Sequence, residues 1–154
     1  MYQSINLVLN GYSLFLVALL GAYTRQQSNR KNLSDRLFLW IIYTVLLLLG
    51  ADMLSRFEGR PNSLYPLLNQ TGNFLLFFLS LILPSLWLLY VHGQIHKVSP
   101  KTKSTRKLIL PLMVLNGLNA LFVIASLAFG WYYQIDKENH YTRRPLFLLF
   151  FLVA

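Results

Sequence analysis

Few side chains in this sequence are equipped for chemistry, and most of those sit inside or beside long apolar runs. Asp52 is the one acid that enters such a run. It stands four residues before Arg56, a spacing that suits an ion pair along a helix. Asn69 and Asn73 are four apart and Asn116 and Asn119 three apart, so each pair shares a helix face. His92 and His96 are also four apart, which is a chelating spacing. No carboxylate or third ligand lies near them in sequence, so they are expected to form an interfacial pair and no metal site.

Catalytic constellations are missing from this inventory. There is no cysteine, which removes disulfides, thiolate metal sites and a thiol nucleophile. There is no G-x-S-x-G, no H-E-x-x-H and no phosphate-cradling glycine loop. Proteolysis by paired intramembrane aspartates is excluded, because only one acid approaches an apolar run. The chain is expected to be no enzyme in itself and to hold no cofactor.

The elements that must position these residues are the apolar runs. They cover residues 5–23, 37–54, 73–92 and 108–131, and residues 145–154 open another. A helix of about 20 mostly apolar residues crosses a bilayer's hydrocarbon core. The first four runs are long enough and the last is not, so the chain is expected to stop within a fifth span. Of its 154 residues 12% are charged, against roughly 25% in a soluble domain. Within residues 75–89 only Ser80 and Ser85 are clearly polar, which leaves no wet face. The expected fold is all-α: a single polytopic transmembrane bundle of four complete spans. Met1–Ile5 contains no Lys or Arg, so the first run lacks a secretory n-region and reads as a retained span.

The net charge of +9 would suggest nucleic acid in a soluble protein. Its distribution points to lipid. Loop 1 carries Arg25, Arg30, Lys31 and Arg36, and loop 3 carries Lys97, Lys101, Lys103, Arg106 and Lys107, against the single acid Asp35. Loops 2 and 4 are nearly balanced. Short basic loops stay in the cytoplasm. Residues 24–36 and 93–107 are therefore expected inside a bacterial cytoplasmic membrane, with the N-terminus outside and no nucleic-acid partner.

Several local features carry expectations of their own. Small residues Ala18, Gly21 and Ala22 allow close helix approach in span 1. Ser34 is a candidate cap for span 2. Gly59-Arg60-Pro61-Asn62 marks a turn, and Tyr65-Pro66 opens the next helix. Pro84 should kink span 3. Between Trp131 and Pro145, Tyr133 and Ile135 alternate with Gln134 and Asp136, and Lys137-Glu138-Asn139 would make the turn of a short extracytoplasmic β-hairpin.

Polar groups at membrane depth usually face a bundle interior or a wet cavity. Asp52 and Asn73 lie near the outer ends of their spans, at matching depth. With Asn69 and Trp131 they are the candidates for an outward-facing ligand pocket beside the hairpin. Asn116 and Asn119 read first as interhelical hydrogen-bonding residues and second as ligand contacts.

The stretch Gly130-Trp131-Tyr132-Tyr133-Gln134-Ile135-Asp136, followed by Asn139-His140-Tyr141 and Arg144-Pro145-Leu146-Phe147, resembles the segment between the fourth and fifth spans of a Firmicutes membrane module. That module precedes the GGDEF domain in many diguanylate cyclases. Asp35-Arg36-Leu37-Phe38-Leu39-Trp40 is similar to the start of its second span, and Asp52 and Gly59-Arg60-Pro61 fall where the family has an acid and a turn. One departure is Tyr90-Val91-His92-Gly93-Gln94, which lacks the acid expected near His92. The resemblance implies a sensory module that passes an external or membrane stimulus to a cytoplasmic domain making cyclic-di-GMP. It supplies no ligand; the expected partners are an unidentified small ligand and a second copy, in a homodimer formed through the full-length protein. The competing reading is a transporter component or small permease, and a third is an assembly or anchoring subunit.

Overall fold

The computed structural model of the chain describes residues 2–28, 32–59, 64–98, 105–136 and 138–148. Five helices and one hairpin follow in order: α1 (Tyr2–Gln27), α2 (Leu33–Ser55), α3 (Tyr65–Ser80), α4 (Ile82–Val98), α5 (Thr105–Phe129), β1 (Tyr133–Ile135) and β2 (Tyr141–Arg143). The fold is all-α apart from this two-stranded sheet. Four apolar rods, Ile5–Gln27, Leu33–Ser55, Tyr65–Ile95 and Lys107–Phe129, are long and apolar enough to cross a membrane. That is the pattern of a multi-pass membrane protein. Their outward faces carry bare apolar side chains such as Val8, Leu110 and Phe129, each about 70% exposed. Water would make such a surface aggregate, whereas hydrocarbon solvates it.

The third rod is α3 and α4 in tandem, interrupted at Leu81. The interruption lies three residues before Pro84, and the covalent geometry explains the offset. Proline lacks the N–H that would bond the carbonyl four residues back, and its ring crowds that carbonyl. For Pro84 that residue is Ser80, the last of α3.

α2 is the central helix, packed on α1, α3 and α4, while α5 closes against α3 and α4. Gly72 makes the α2–α3 contact possible. A Cβ there would lie 2.4 Å from the Ser55 nitrogen and 2.7 Å from the Ala51 carbonyl oxygen. The two backbones touch with no side chain between them. Of the small residues in α1, Gly21 is buried, with Ile42 Cγ2 at 3.1 Å from its would-be Cβ, while Ala18 and Ala22 remain exposed.

Two helix boundaries differ from expectation. The cap of α2 is Asn32, whose side chain accepts from the Ser34 N–H at 3.3 Å. Ser34 instead lies buried in the first turn, where Gly93 passes it. α5 ends at Phe129, so Trp131 lies beyond it. Gly130, at φ +62, turns the chain and donates to the Ser126 carbonyl at 2.9 Å. A left-handed residue closing a helix in this way is most readily glycine.

The hairpin forms as the alternation suggested, antiparallel with Tyr133 opposite Arg143 and Ile135 opposite Tyr141. Its inward residues build the main apolar core, where Phe77 of α3 and Val123 of α5 meet Tyr132 and Tyr133. The Phe77 and Tyr133 rings stack at 5.3 Å and 9°. Residues 149–154, most of the expected fifth span, lie outside the described residues, as do Lys137 and the turn at 60–62.

Candidate functional site

The residues singled out by polarity converge on two places, one under the hairpin and one at the interruption of the third rod.

Under the hairpin, three asparagines form a directed relay. Asn73 Nδ2 donates to Asn69 Oδ1 at 2.7 Å. Asn69 Nδ2 donates to Asn139 Oδ1 at 2.9 Å, and Asn139 Nδ2 to the Phe57 carbonyl at 2.7 Å. Asn69 and Asn139 are fully buried. Asn139 occupies the left-handed region at φ +65, which asparagine tolerates better than most residues. The Gly59 N–H returns a bond to the Asn139 carbonyl at 2.9 Å, and the Tyr141 N–H bonds Glu58 Oε1 at 2.6 Å. The hairpin is thus fastened to the end of α2 and to α3 by polar groups satisfied inside protein, where an unmet one is costly.

Beside the relay lies a cavity of about 390 Å³. α2 and the residues after it contribute Asp52, Ser55, Arg56 and Glu58, α3 contributes Asn73, Leu76 and Phe77, and the hairpin side contributes Tyr141, Arg143 and Phe147. Asp52 and Arg56 form the ion pair that their spacing suggested, at 3.1 Å. Asn10 of α1 also donates its Nδ2 to Asp52 Oδ2. Asp52 therefore ties α1 to α2 as well as facing the cavity. Arg143 lies over the Phe147 ring, 4.8 Å from its centroid.

The hairpin tyrosines have altered acidity. Burial pushes the Tyr133 phenol up to about 12, with the nearby Tyr141 adding to it. Burial also raises Tyr141 and Glu58 adds a little, while the charge and hydrogen bond of Arg143 oppose both. At the turn, Asp136 is held below its usual range, chiefly by the His140 N–H donating to its carboxylate at 2.8 Å.

At the interruption, the Leu81 N–H bonds the Leu79 carbonyl. The Phe77 carbonyl accepts from Asn119 Nδ2 of α5 at 3.1 Å and from Ser80 Oγ at 3.0 Å. Ser85 Oγ bonds the Leu81 carbonyl at 2.9 Å and accepts from Asn116 Nδ2 at 2.7 Å. Both asparagines of α5 serve the break. Their Oδ1 atoms are buried without a hydrogen-bond partner among the described residues.

Asp52 and Asn73 therefore share one cavity with the hairpin. Asn69 lies behind it as a relay member, and Asn116 and Asn119 belong to the break. Trp131 lies apart, stacked at 5.5 Å on Phe129. A second hollow of about 490 Å³, between α5 and β1, is lined by none of these candidates. The sequence reading missed Asn10, Glu58, Asn139, Tyr141 and Arg143. Asn10 carried a usable signal, being a polar residue in span 1 near the depth of Asp52. The other four sit in the connecting segments and the hairpin, where polarity is ordinary. Among the described residues no cluster of three or more metal-ligating side chains occurs, and the side chain of His96 lies outside them.

Comparison of the chain with protein-family models, with curated proteins and with solved structures finds no match.

Proposed function

We propose that this chain is a sensory membrane module, with the cavity beside Asp52 and Asn73 as its input. The observation that carries this reading is the double role of Phe77. Its ring lines the cavity and stacks on Tyr133, and its carbonyl is the group that Asn119 holds at the break. An occupant that shifts the Phe77 ring also strains the hydrogen bond that fixes the α3–α4 junction. A stimulus can act through such a coupling only by favouring one packing of the junction over another.

The sidedness belongs to the same proposal. The basic segments 24–36 and 93–107 lie in the bacterial cytoplasm, and the N-terminus, hairpin and cavity face outward. The resemblance to the membrane modules of diguanylate cyclases supports a cytoplasmic output that makes cyclic-di-GMP, working as a homodimer. The test uses the full-length protein in lipid nanodiscs, with cyclase turnover as the readout. Phe77→Leu and Asn119→Leu should each uncouple turnover from the stimulus while folding is kept. Turnover that stays stimulus-dependent in both variants overturns the coupling.

One observation favours a second reading. Interrupted helices with polar residues at the break mark substrate sites in transporters, and the Leu81 break has Ser85, Asn116 and Asn119 around it. Solute flux into liposomes carrying the protein, without cyclase output, would select that reading.

A further inference from the structure

The cavity beside the hairpin holds two acids and two arginines, and only Asp52 and Arg56 pair with each other. Glu58 and Arg143 line the same cavity, and neither joins an ion pair among the described residues. Among the described residues Glu58 receives one hydrogen bond, at Oε1 from the Tyr141 N–H. Arg143 rests on the Phe147 ring, two residues along β2 from Tyr141. The two opposite charges are thus each engaged with another group and not with each other. Opposite charges that line one cavity attract each other and would gain by closing. Holding them separate leaves an anionic and a cationic recognition point in one small volume.

We propose that this cavity binds a small zwitterion, its ammonium at Glu58 and its anionic group at Arg143. A ligand of one sign would meet one of these groups and leave the other unmet. The guanidinium fork fits a carboxylate or a phosphate equally. Leu76, Phe77 and Phe147 add apolar lining for the ligand's carbon skeleton. The volume falls within the range of about 300–1,000 Å³ typical of small-molecule sites. Two sources share this chemistry: a free α-amino acid from outside, and the phosphoethanolamine head group of a bilayer lipid. The inference deepens the sensory reading and rests on it for what binding achieves.

The experiment separates the sources and the two claims. The full-length protein is placed in nanodiscs of phosphatidylglycerol alone, or with phosphatidylethanolamine added. Binding of L-alanine, L-leucine and L-phenylalanine is measured in the first, and lipid retention by native mass spectrometry in the second. Ethylamine and acetate serve as single-charge probes. The expected result is binding of one zwitterion class, weakened about tenfold or more by Glu58→Gln and by Arg143→Gln, with Arg143→Lys retaining part of it. Equal binding of ethylamine or acetate, no binding of either zwitterion class, or indifference to both charge-removing variants overturns the site. Binding that leaves cyclase turnover unchanged overturns the sensory reading alone. Turnover that responds to another stimulus, with no zwitterion bound, overturns the site alone.

Discussion

Asn119 of α5 donates its side-chain N–H to the backbone carbonyl of Phe77 in α3 at 3.1 Å, one turn before the interruption at Leu81. In a regular helix a carbonyl is served by the N–H of residue i+4. Here a side chain of a neighbouring helix adds a donor beside the break. A proline-bearing rod within lipid gains from such donors, because the hydrocarbon offers no water to backbone groups.

Replacing Asn119 with Leu keeps the branched shape, at a somewhat larger volume, and removes the donor. The expected cost is about 1–2 kcal/mol, the upper part of the range for interhelical hydrogen bonds in membranes. Asn116→Leu should cost less, because Ser85 still serves the Leu81 carbonyl by itself. Reversible unfolding in mixed micelles measures both. Equal losses would mean that the Phe77 carbonyl is not the group that matters.

Gly72→Ala should be among the most damaging single-methyl changes in the chain. The added carbon would meet the Ser55 nitrogen and the Ala51 carbonyl oxygen, and backbone cannot rotate aside as a side chain can. Overpacking of this kind costs about 1–3 kcal/mol, and the contact here argues for the upper end. Gly11→Ala, where nothing lies within 4 Å, is the matched control and should be neutral or slightly stabilising. Comparable stability of the two variants would show that α2 and α3 are not in backbone contact.

Asn139 combines two contributions that substitutions can separate. Asn139→Gly keeps the left-handed turn but removes the amide that links Asn69 to the Phe57 carbonyl. Asn139→Ala loses the amide and adds backbone strain at φ +65. Each hydrogen bond is worth about 1 kcal/mol, and the left-handed conformation costs an alanine about a further 1 kcal/mol. Hydrogen exchange at Tyr141 and Gly59 should rise in the glycine variant and rise further in the alanine variant. Identical exchange in the two would place the whole effect in the side chain.

The four-rod architecture was legible because lipid exposure demands runs of apolar residues, and such runs show directly in sequence. The hairpin was legible for a related reason: Tyr133 and Ile135 alternate with polar neighbours, and Lys137-Glu138-Asn139 supplies turn residues. The depth of Asp52 and Asn73 could be read from their distance to the ends of their runs, and both line one cavity. What Asn69 does could not be read, since its partner Asn139 lies 70 residues away in a loop where asparagine is commonplace. Asn116 and Asn119 were readable as bonding residues but not as servants of a break at Leu81. The proline marks the neighbourhood of the break, whereas the carbonyls that take side-chain donors there, of Phe77 and Leu81, carry no residue-type signature. Glu58 and Arg143 were hidden because loop charges normally face water, and only the folded hairpin brings them to one cavity.

Sidedness can be checked on the chain's cysteine-free background. Thr142→Cys places a thiol on the exposed strand of the hairpin, and Gln27→Cys places one at the end of α1 beside the basic loop. A membrane-impermeant maleimide applied to intact cells should label the first and spare the second. Both should react after lysis. Reversed labelling would put the cavity in the cytoplasm and end its reading as an external input.

Tyr133 supplies the sharpest pH test, because its phenol is buried and its oxygen has no hydrogen-bond partner among the described residues. Its folded-state pKa is raised to about 12 from the ordinary 10.0, so the folded chain holds this proton more tightly than the unfolded chain. The resulting stability is complete below pH 10 and is lost as pH rises from 10 through about 12. Titration of the phenolate absorbance should show a late component near 12 that Tyr133→Phe removes. The same variant keeps the ring stacked on Phe77 and deletes an unsatisfied hydroxyl. It should therefore match or exceed the parent in stability at neutral pH, by up to about 1 kcal/mol. A loss of stability in Tyr133→Phe would show that the hydroxyl has a partner after all.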